Sequence, residues 1–531
     1  MEIRWTEEQK KVIESRRKNV LVSAAAGSGK TAVLAARILS RLQDREKPCD
    51  IDRILVVTFT NAAAAEMRER IGKAIAEALE SDPENGHLRR QATLLHHAQI
   101  TTYDSFCLYL VRNYFHRIDL DPSLRVADPG EVTLLRKEAM DRVFAEEYEE
   151  AREDFALLLD SFGSRRSDEA VRDMVERLGT YAMSDPWPEE WLDGCEKRYQ
   201  VNTAEELTHS EFLDTVMKQL RAILCGAAEE MRVLSALAGD PDGPNVYQEV
   251  LSEEAETIGN FAEIDSFLNL RASFLAREEK RLPAARNYQG SEEKKQHITD
   301  ERKKIKNELN KIEKDFFSIL PEEMVKRIQY AASSAGALLR MTRRFLALFR
   351  EIKGAKNVLD FSDMEQLALR ILIDPVTKEP TEVAEKLREY FEEVMVDEYQ
   401  DSNFLQEEIL RAVTRQEDGR KNLFLVGDVK QSIYRFRLSR PELFMEKYKT
   451  FPVGGEFEER IDLHKNFRSR EGILEAANDI FLRLMGEDLG LVEYNGDTAL
   501  YPGASYPENP EEPVRILLAE EGEGEEKLAR E

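Results

Sequence analysis

Short apolar runs followed by stretches of helical periodicity recur in the first part of the chain. Residues 20–22 form an apolar run, and residues 32–42 after it repeat apolar side chains at helical spacing. A β-branched run at 54–61 is followed by a helical pattern at 62–71, and the segment 100–107 again combines a strand with the start of a helix. A parallel sheet flanked by helices requires this strand–loop–helix order.

The pattern changes between residues 128 and 354, where helical periodicity dominates and strand signals vanish. The longest regular helix signal covers residues 291–318, with eight Lys/Arg against six Asp/Glu between Ser291 and Lys314. Strand signals return at 393–401, a short apolar run ending in two acids, and again near 422–428 and 461–470. The helical stretch therefore interrupts an α/β fold.

This pattern predicts an α/β fold whose P-loop parallel-sheet domain is interrupted by a large all-helical insertion. The predicted divisions are residues 1–127 and 355–455 for the sheet domain and 128–354 for the insertion. A length of 531 residues is sufficient for more than one hydrophobic core.

Composition narrows the class of protein. The chain has 103 Asp and Glu against 76 Lys and Arg, a formal net charge of −27, so no global positive field attracts nucleic acid and any such site must be a local groove. Its four cysteines are scattered without a CxxC pair, which argues against a zinc or iron–sulfur site and predicts a cytoplasmic protein. No signal peptide and no run of about 18 apolar residues is present, so we expect no membrane contact.

The first candidate site lies between the strand at 20–22 and the helix at 32–42. Glycines let the backbone turn its N–H groups toward phosphates, the helix N-terminus adds partial positive charge, Lys30 reaches the β- and γ-phosphates, and Thr31 ligates Mg²⁺. Ala24 stands where this pattern usually has Gly. A turn of small residues is the alternative, but the flanking elements favour nucleotide binding. The predicted phosphate loop comprises Ala24, Ala25, Ala26, Gly27, Ser28, Gly29, Lys30 and Thr31.

A second carboxylate is needed to complete a Mg²⁺ site at a P-loop, and an apolar strand that ends in Asp-Glu supplies one. Asp397 is the predicted Mg²⁺ ligand, and Glu398 is the predicted general base that polarises the attacking water. These acids follow Lys30 at a long distance in sequence, so the fold must bring them together. The helical insertion accounts for that distance.

Eight sequence blocks in order resemble superfamily 1 helicases of the UvrD/Rep/PcrA type. They lie within residues 1–125 and 355–475 and are WTEEQ, AAAGSGKT, TFTNAAAAEM, TTYDSFC, LDFSDM, VDEYQD, LVGDVKQSIYRFR and LHKNFRSR. The closer resemblance is to the AddA family of helicase–nucleases, which belong to the bacterial AddAB complexes that repair double-strand breaks. It rests on SAAAGSGKT, VMVDEYQDSN, GDVKQSIYRFR and the long helical insertion.

The resemblance implies a RecA-like motor that uses ATP and Mg²⁺. It implies that Gln9 contacts adenine, that Phe467 stacks on adenine and that Gln431 senses the γ-phosphate. Arg468 is implied to be an arginine finger from the second motor domain, and with Lys30 and Glu398 it completes the expected catalytic set.

The resemblance also implies a substrate and a partner. The substrate would be single-stranded DNA and duplex DNA ends, and an AddB-like subunit would complete a heterodimer. Aromatic side chains would line the single-strand track, since every base has a face on which to stack. These residues are Phe59, Tyr103, Tyr434 and Phe436. Related motors often carry Trp where Phe436 stands and His where Asp104 stands.

AddA-like proteins carry a complete second motor domain and a C-terminal nuclease. The resemblance implies that residues 456–531 are only the start of that second motor domain, and no nuclease is visible in this sequence, so we expect an N-terminal portion of a longer protein. The expected function is a 3′→5′ DNA helicase of a helicase–nuclease. Alternatives are a UvrD-like repair helicase, whose insertion is usually shorter, and a non-catalytic DNA-binding scaffold, which predicts eroded site residues. A P-loop kinase would not need the segment 431–437. For residues 291–318, a DNA-touching arm and an ordinary solvated helix both stay open.

Overall fold

The computed structural model describes residues 4–44, 46–163, 167–278, 280–286 and 288–507. The chain forms two compact units. The first contains the described residues of Met1–Glu138, Thr180–Pro188 and Phe349–Glu531, and the second those of Ala139–Gly179 and Glu189–Leu348. The predicted insertion boundaries at 128 and 354 thus lie several residues outside the second unit, and a short segment inside the insertion belongs to the first unit.

The first unit is built on a parallel sheet. Its six strands are ordered β3-β2-β6-β7-β1-β8, and every neighbouring pair is parallel. The strands are β1 (Asn19–Ala24), β2 (Ile54–Thr58), β3 (Ile100–Thr102), β4 (Arg125–Val126), β5 (Val358–Leu359), β6 (Glu393–Val396), β7 (Leu423–Gly427), β8 (Glu458–Leu463), β9 (Lys465–Asn466) and β10 (Tyr501–Pro502). β4 pairs with β5 and β9 with β10, outside the main sheet. The predicted parallel α/β fold is confirmed.

Helices make up most of the remaining structure. Those at the start of the chain are α1 (Glu7–Glu14), α2 (Lys30–Leu42), α3 (Asn61–Ser81), α4 (Gly86–Leu94), α5 (Tyr103–Tyr114) and α6 (Pro129–Glu150). Those of the middle are α7 (Glu153–Phe162), α8 (Glu169–Met183), α9 (Pro188–Lys197), α10 (Ala204–Thr208), α11 (Glu211–Gly239), α12 (Gln248–Ala262), α13 (Phe267–Leu275), α14 (Glu292–Ile312) and α15 (Pro321–Ala355). The last are α16 (Phe361–Leu372), α17 (Glu382–Tyr390), α18 (Phe404–Val413), α19 (Pro441–Thr450), α20 (Glu471–Leu484) and α21 (Glu487–Gly490).

The continuous apolar character of the strands has a direct structural reason. Both faces of the sheet are covered by helices, so successive side chains of one strand enter two different cores. Leu21 and Leu55 belong to one core, whereas their neighbours Val20 and Val56 belong to the other. Because strands are buried on both sides, they form apolar runs rather than an alternating pattern.

The second unit is helical and has its own core. Side chains of α11, α12, α13 and α14 meet in this core, together with Phe317, which follows α14. No β-strand is found between β4 and β5 in the described residues. The expected all-helical insertion is therefore what the fold contains.

The basic segment within 291–318 is an ordinary packed helix for most of its length. Ile298, Ile305 and Leu309 of α14 are buried in the core of the second unit, where α14 packs against α11. Most of its basic side chains bind carboxylates of the same chain. The pairs are Lys294 with Asp240 and Asp242, Lys295 with Glu292, Arg302 with Glu254, and Lys304 with Glu301. These contacts favour the solvated-helix interpretation over a DNA-touching arm.

The segment predicted to open a second domain begins differently from the expectation. β8 pairs in parallel with β1 from Asn19 to Ala24, so it is the edge strand of the first sheet. The predicted boundary at residue 456 is therefore wrong, because residues 458–463 after it belong to the first sheet. They form the strand that covers the otherwise open side of β1. The described residues from 464 to 507 stay the predicted start of the second domain, and residues 508–531 lie outside the described part. None of the described helices is both long and apolar enough to span a membrane.

Candidate active site

The phosphate loop connects β1 to α2 through a tight turn. Gly27 and Gly29 have positive φ angles of 69° and 83°, a conformation that glycine adopts without steric cost. A Cβ on Gly27 would lie 2.9 Å from side-chain atoms of Asn466 and Arg468. α2 begins at Lys30, two residues earlier than the apolar pattern alone predicts. The sequence and the fold agree that this loop needs glycine at both positions.

The loop carries a buried polar atom that fits an anionic ligand. Ser28 is almost fully buried, and its Oγ has no hydrogen-bond partner among the described residues. A buried hydroxyl without a partner is costly, whereas a phosphate oxygen would satisfy it. Ala24 and Ala25 are buried beside it, and the Ala26 carbonyl accepts from Asn466 Nδ2 at 2.8 Å. The residues present therefore fit a nucleotide phosphate.

Lys30 and Glu398 meet across the site although they are 368 residues apart. Lys30 Nζ donates to Glu398 Oε1 at 2.9 Å and to Oε2 at 2.8 Å. Parallel strands bring their carboxyl ends to one edge, and β1 and β6 are separated in the sheet only by β7. Glu398 is held at φ 54°, in the left-handed region. The expected meeting of the P-loop with the Asp-Glu pair is thus observed.

Asp397 is the carboxylate best placed to attract a cation. Burial raises the pKa of its carboxyl to about 6, and the negative charge of Glu398 adds to the shift while Lys30 opposes it. Thr31 is in the first turn of α2. Mg²⁺ usually takes one or two protein ligands and completes its shell with water and phosphate, so Thr31 and Asp397 are a sufficient donor set. No group of three metal-binding side chains occurs within the ranges that the structure describes.

The predicted adenine-binding residues line one cavity. This cavity of about 300 Å³ includes Gln9, Ser28, Phe467 and Tyr501 in its wall. Gln9 Nε2 donates to the Ser28 carbonyl at 3.1 Å, and Gln9 Oε1 accepts from Thr6 N at 3.0 Å in a capping box at the start of α1. The Gln9 amide is thereby tied to the phosphate loop. Its contact with adenine stays a prediction.

Phe467 and Arg468 lie directly beside the phosphate loop. The Phe467 backbone N–H donates to the Gly27 carbonyl at 2.9 Å, and the Arg468 N–H donates to Asn466 Oδ1 at 2.8 Å. Arg468 has an exposed side chain. These contacts bring the predicted stacking residue and the predicted arginine finger to the phosphate loop, and both roles stay predictions.

Gln400 and Asp428 are functional candidates that the sequence reasoning missed. Gln400 is buried, donates from Nε2 to Glu398 Oε2 at 3.0 Å, and accepts at Oε1 from Asp428 N at 3.0 Å. Asp428 Oδ2 in turn accepts from Gln431 Nε2 at 2.8 Å. A Cβ on Gly427 would lie 2.4 Å from Gln400 Oε1. The signal was available, because Asp428 directly follows β7 and Gln400 lies two residues after Glu398, which was already assigned to the site.

Three aromatic side chains form a cluster at the same edge of the sheet; Phe436 is exposed, and Phe59 and Tyr434 are half-buried. The rings of Phe59 and Tyr434 stack with centroids 5.0 Å apart, and Tyr434 lies 5.8 Å from Phe436. Phe436 is 74% exposed, and the guanidinium of Arg437 lies within 5.9 Å of all three ring centroids. A partly exposed aromatic cluster with a cation beside it is suited to stacking on bases.

Tyr103 does not belong to this cluster. It is only 6% exposed, and its hydroxyl forms a hydrogen bond of 3.0 Å with Ser402 Oγ. α5 begins at Tyr103 without an intervening loop, which turns the ring into the core. The prediction that Tyr103 lines a strand track is therefore wrong, because a base cannot reach its face.

Comparisons with known proteins agree with this geometry. A family model described as UvrD/REP helicase N-terminal domain matches residues 5–452. Proteins whose names describe the A subunit of an ATP-dependent helicase/nuclease are similar over most of the chain. The one from Lachnoclostridium phytofermentans is 42% identical over 514 residues, 95% of this chain and 37% of the relative. The one from Clostridium botulinum is 40% identical over 95% of this chain and 41% of the relative. The one from Bacillus cytotoxicus is 39% identical over 98% of this chain and 42% of the relative.

This chain spans about two fifths of the length of these relatives. The family model, in contrast, covers most of the chain and includes the phosphate loop, Glu398 and the aromatic cluster. The chain belongs to the UvrD/Rep helicase family.

Proposed function

We propose that this chain is the ATP-driven motor of a 3′→5′ DNA helicase–nuclease that processes double-strand-break ends for recombinational repair. The single observation that carries the proposal is the contact between Lys30 and Glu398, which joins the phosphate loop to a candidate general base. The intact site argues against a non-catalytic scaffold. The printed names of the relatives favour a helicase–nuclease over a UvrD-like repair helicase.

Each residue of the site has a chemical task in this proposal. Thr31 and Asp397 would hold Mg²⁺, which when bound neutralises phosphate charge and orients the reacting oxygens. Lys30 would pair with phosphate oxygens, Glu398 would accept the proton of the attacking water, and Arg468 would stabilise developing charge.

The ion pair between Lys30 and Glu398 suggests how turnover is held back without substrate. While Lys30 donates to both carboxylate oxygens of Glu398, those oxygens are occupied and are not free to accept a hydrogen bond from a water molecule. Phosphate oxygens that compete for Lys30 would release Glu398 to act on water. Gln400, which bonds to Glu398, would keep the released carboxylate in position.

DNA binding in this proposal uses the aromatic cluster of Phe59, Tyr434 and Phe436. Stacking on aromatic rings binds the bases of any DNA sequence, which a translocating motor requires. Single-stranded DNA and duplex ends would be the substrates, an AddB-like protein the partner, and the cytoplasm the compartment.

Replacement of the phosphate-loop lysine tests the proposal. Lys30→Ala should reduce DNA-stimulated ATP hydrolysis by about 100-fold or more while the protein stays folded, because the lysine is the group that contacts phosphate and the backbone holds the loop. Lys10→Ala is the control, since Lys10 is an exposed lysine of the same unit paired with Glu7. Turnover that survives Lys30→Ala would contradict the proposed site.

Further readouts on the unaltered protein separate the alternatives. Strand displacement from a 3′ overhang but not from a 5′ overhang would give the direction. DNA binding without any ATP turnover would favour the scaffold. Helicase activity without a co-purifying partner would favour a UvrD-like repair helicase.

A further inference from the structure

Two arginines near the aromatic cluster differ from the neighbouring basic residues in their contacts, because they lie over aromatic rings and the neighbours pair with carboxylates. Arg437 and Arg440 each lie over aromatic rings, and neither has a carboxylate partner in the described part of the chain. Arg435 and Lys430 of the same segment are both paired, with Glu442 at 2.7 Å and with Asp428 at 2.9 Å. In a chain of net charge −27, an arginine without a carboxylate partner is an available anion-binding group.

Arg440 covers a second exposed aromatic ring that the sequence analysis did not single out. Its guanidinium carbon lies 5.2 Å from the ring centroid of Phe404, and Phe404 is 40% exposed. Phe404 is the first residue of α18, whose apolar face is buried through Leu405 and Ile409. Asn403 caps the helix, so position 404 is held outside the core by the helix start and not by packing.

The arginine–phenylalanine pair lies next to the aromatic cluster. The Arg440 N–H donates to the Ser402 carbonyl at 2.8 Å, and Ser402 is the residue that holds Tyr103 in the core. The Ser439 N–H reaches the Tyr434 carbonyl at 3.4 Å. Phe404 is therefore the exposed ring at the place where Tyr103 was expected to meet DNA.

We propose that Phe404 and Arg440 form a further subsite for single-stranded DNA, in which one base stacks on Phe404 and Arg440 pairs with the adjoining phosphate. The inference rests on the proposed function, since it extends the same strand track by one nucleotide. Single exposed apolar residues are common on protein surfaces and need no explanation. The combination with an arginine that lacks a carboxylate partner is what stacking and phosphate contact both require.

Binding to labelled oligothymidylate of about 12 nucleotides tests the subsite, since a strand of that length extends beyond the aromatic cluster. Phe404→Ala should weaken binding by roughly 5- to 100-fold, the range that loss of one base stack produces. Tyr390→Ala is the matched control. Tyr390 is also 40% exposed and lies under Arg53 at 5.5 Å, but it precedes β6 and so lies at the opposite edge of the sheet. Its loss should leave DNA affinity unchanged.

Three further variants separate stacking from charge. Phe404→Trp should retain affinity, because tryptophan offers a larger face. Arg440→Gln should weaken binding and reduce the slope of log affinity against log salt by about 0.7, the value for one lost phosphate contact on a single strand. Phe404→Leu keeps an apolar side chain at the helix start, so a loss of affinity at an unchanged unfolding midpoint supports the subsite even where Phe404→Ala unfolds.

The outcomes distinguish this inference from the proposed function. Unchanged affinity in Phe404→Leu and Arg440→Gln, together with a loss in Phe436→Ala, would overturn the subsite and leave the strand track intact. Absence of single-strand binding by the unaltered protein, or no loss in Phe436→Ala, would instead overturn the proposed function.

Discussion

Glu398 combines three properties that single residues of a fold do not usually share. It has a positive φ angle of 54°, it is bound by Lys30 at both carboxylate oxygens, and Gln400 donates to one of them. A residue other than glycine held in this region costs about 1–3 kcal/mol, and the surrounding contacts must offset that cost. The strained backbone aims the carboxylate into the phosphate loop.

Removal of the charge of Glu398 should separate binding from chemistry. Glu398→Gln should leave nucleotide affinity near normal and stop ATP turnover, because the amide keeps the shape but cannot accept a proton. Equilibrium binding of a labelled nucleotide and steady-state hydrolysis, measured on the same sample, provide the check. If binding and turnover are lost together, Glu398 has a structural or metal-binding role instead.

Glu365 of α16 should make the stability of the first unit depend on pH. Burial raises the pKa of its carboxyl to about 7, and the nearby Asp104 adds to the shift while Gln406 and Asn403 oppose it. The folded-state pKa is thus above the unfolded one, so the folded protein binds the proton more tightly. The contribution of Glu365 to the free energy of unfolding should therefore be fully present below about pH 4.5 and be lost as pH rises through about 7.

Glu365→Gln should remove this dependence. The variant should be more stable than the parent at pH 8, by at most about 3 kcal/mol, and equal to it near pH 4. An amide oxygen can still accept the hydrogen bond of 2.8 Å that Gln406 donates. Urea unfolding at several pH values measures the effect, with the exposed Glu69→Gln as control. Parallel pH profiles for Glu365→Gln and the parent protein would contradict the assignment.

At the scale of elements, one buried ion pair connects the helix of the phosphate loop to the strand of the Asp-Glu pair. Arg37 of α2 donates to Glu393 of β6 at 2.8 and 2.6 Å, and both side chains are buried. Arg37 also lies 4.4 Å over the ring of Phe424 in β7. The pair therefore sets the position of α2 against two strands beneath the active site.

Removal of one member of this pair should be costly. Arg37→Met leaves the buried Glu393 carboxylate with only the longer contact to Arg41 at 3.3 Å and should destabilise the protein by up to about 3–5 kcal/mol, measured by urea unfolding. The double change Arg37→Met with Glu393→Met should cost less, since the buried carboxylate is removed as well. Arg70→Met, which breaks an exposed pair with Glu66, should cost about 1 kcal/mol or less. A double variant as unstable as the single one would contradict the charge argument.

At the scale of the whole molecule, the net charge of −27 would confine the proposed DNA binding to local surfaces. Most basic residues of α14 are bound to carboxylates of the chain, so they add little to a phosphate-binding surface. Arg437 and Arg440 are the available cations at the aromatic cluster. We infer that stacking supplies more of the grip than charge.

The salt dependence of binding should reflect this. Two phosphate contacts on a single strand give a slope of log affinity against log salt of about −1.4. Oligothymidylate titrations between about 50 and 200 mM salt would measure it. A slope of about −5 or steeper would mean that a broad basic surface binds the strand, and would contradict a track of this kind.

The sequence alone determined the local chemistry of the site. Gly27, Gly29 and Lys30 identify a phosphate loop because their roles depend on the backbone within a few residues. Apolar runs predicted strands that are buried on both faces, and carboxylates at the end of 393–396 predicted an acidic group at the sheet edge. These features are short-range, so periodicity and residue type were sufficient to find them.

Only the tertiary structure decided which distant segments meet. It assigned 458–463 to the first sheet, turned Tyr103 into the core, and brought Gln400 to Asp428 and Arg440 to Phe404. None of these follows from local pattern, because the free energy of such contacts depends on partners that the chain supplies from other strands and helices. A tyrosine after a strand has the same sequence signal whether its ring faces a base or a buried serine.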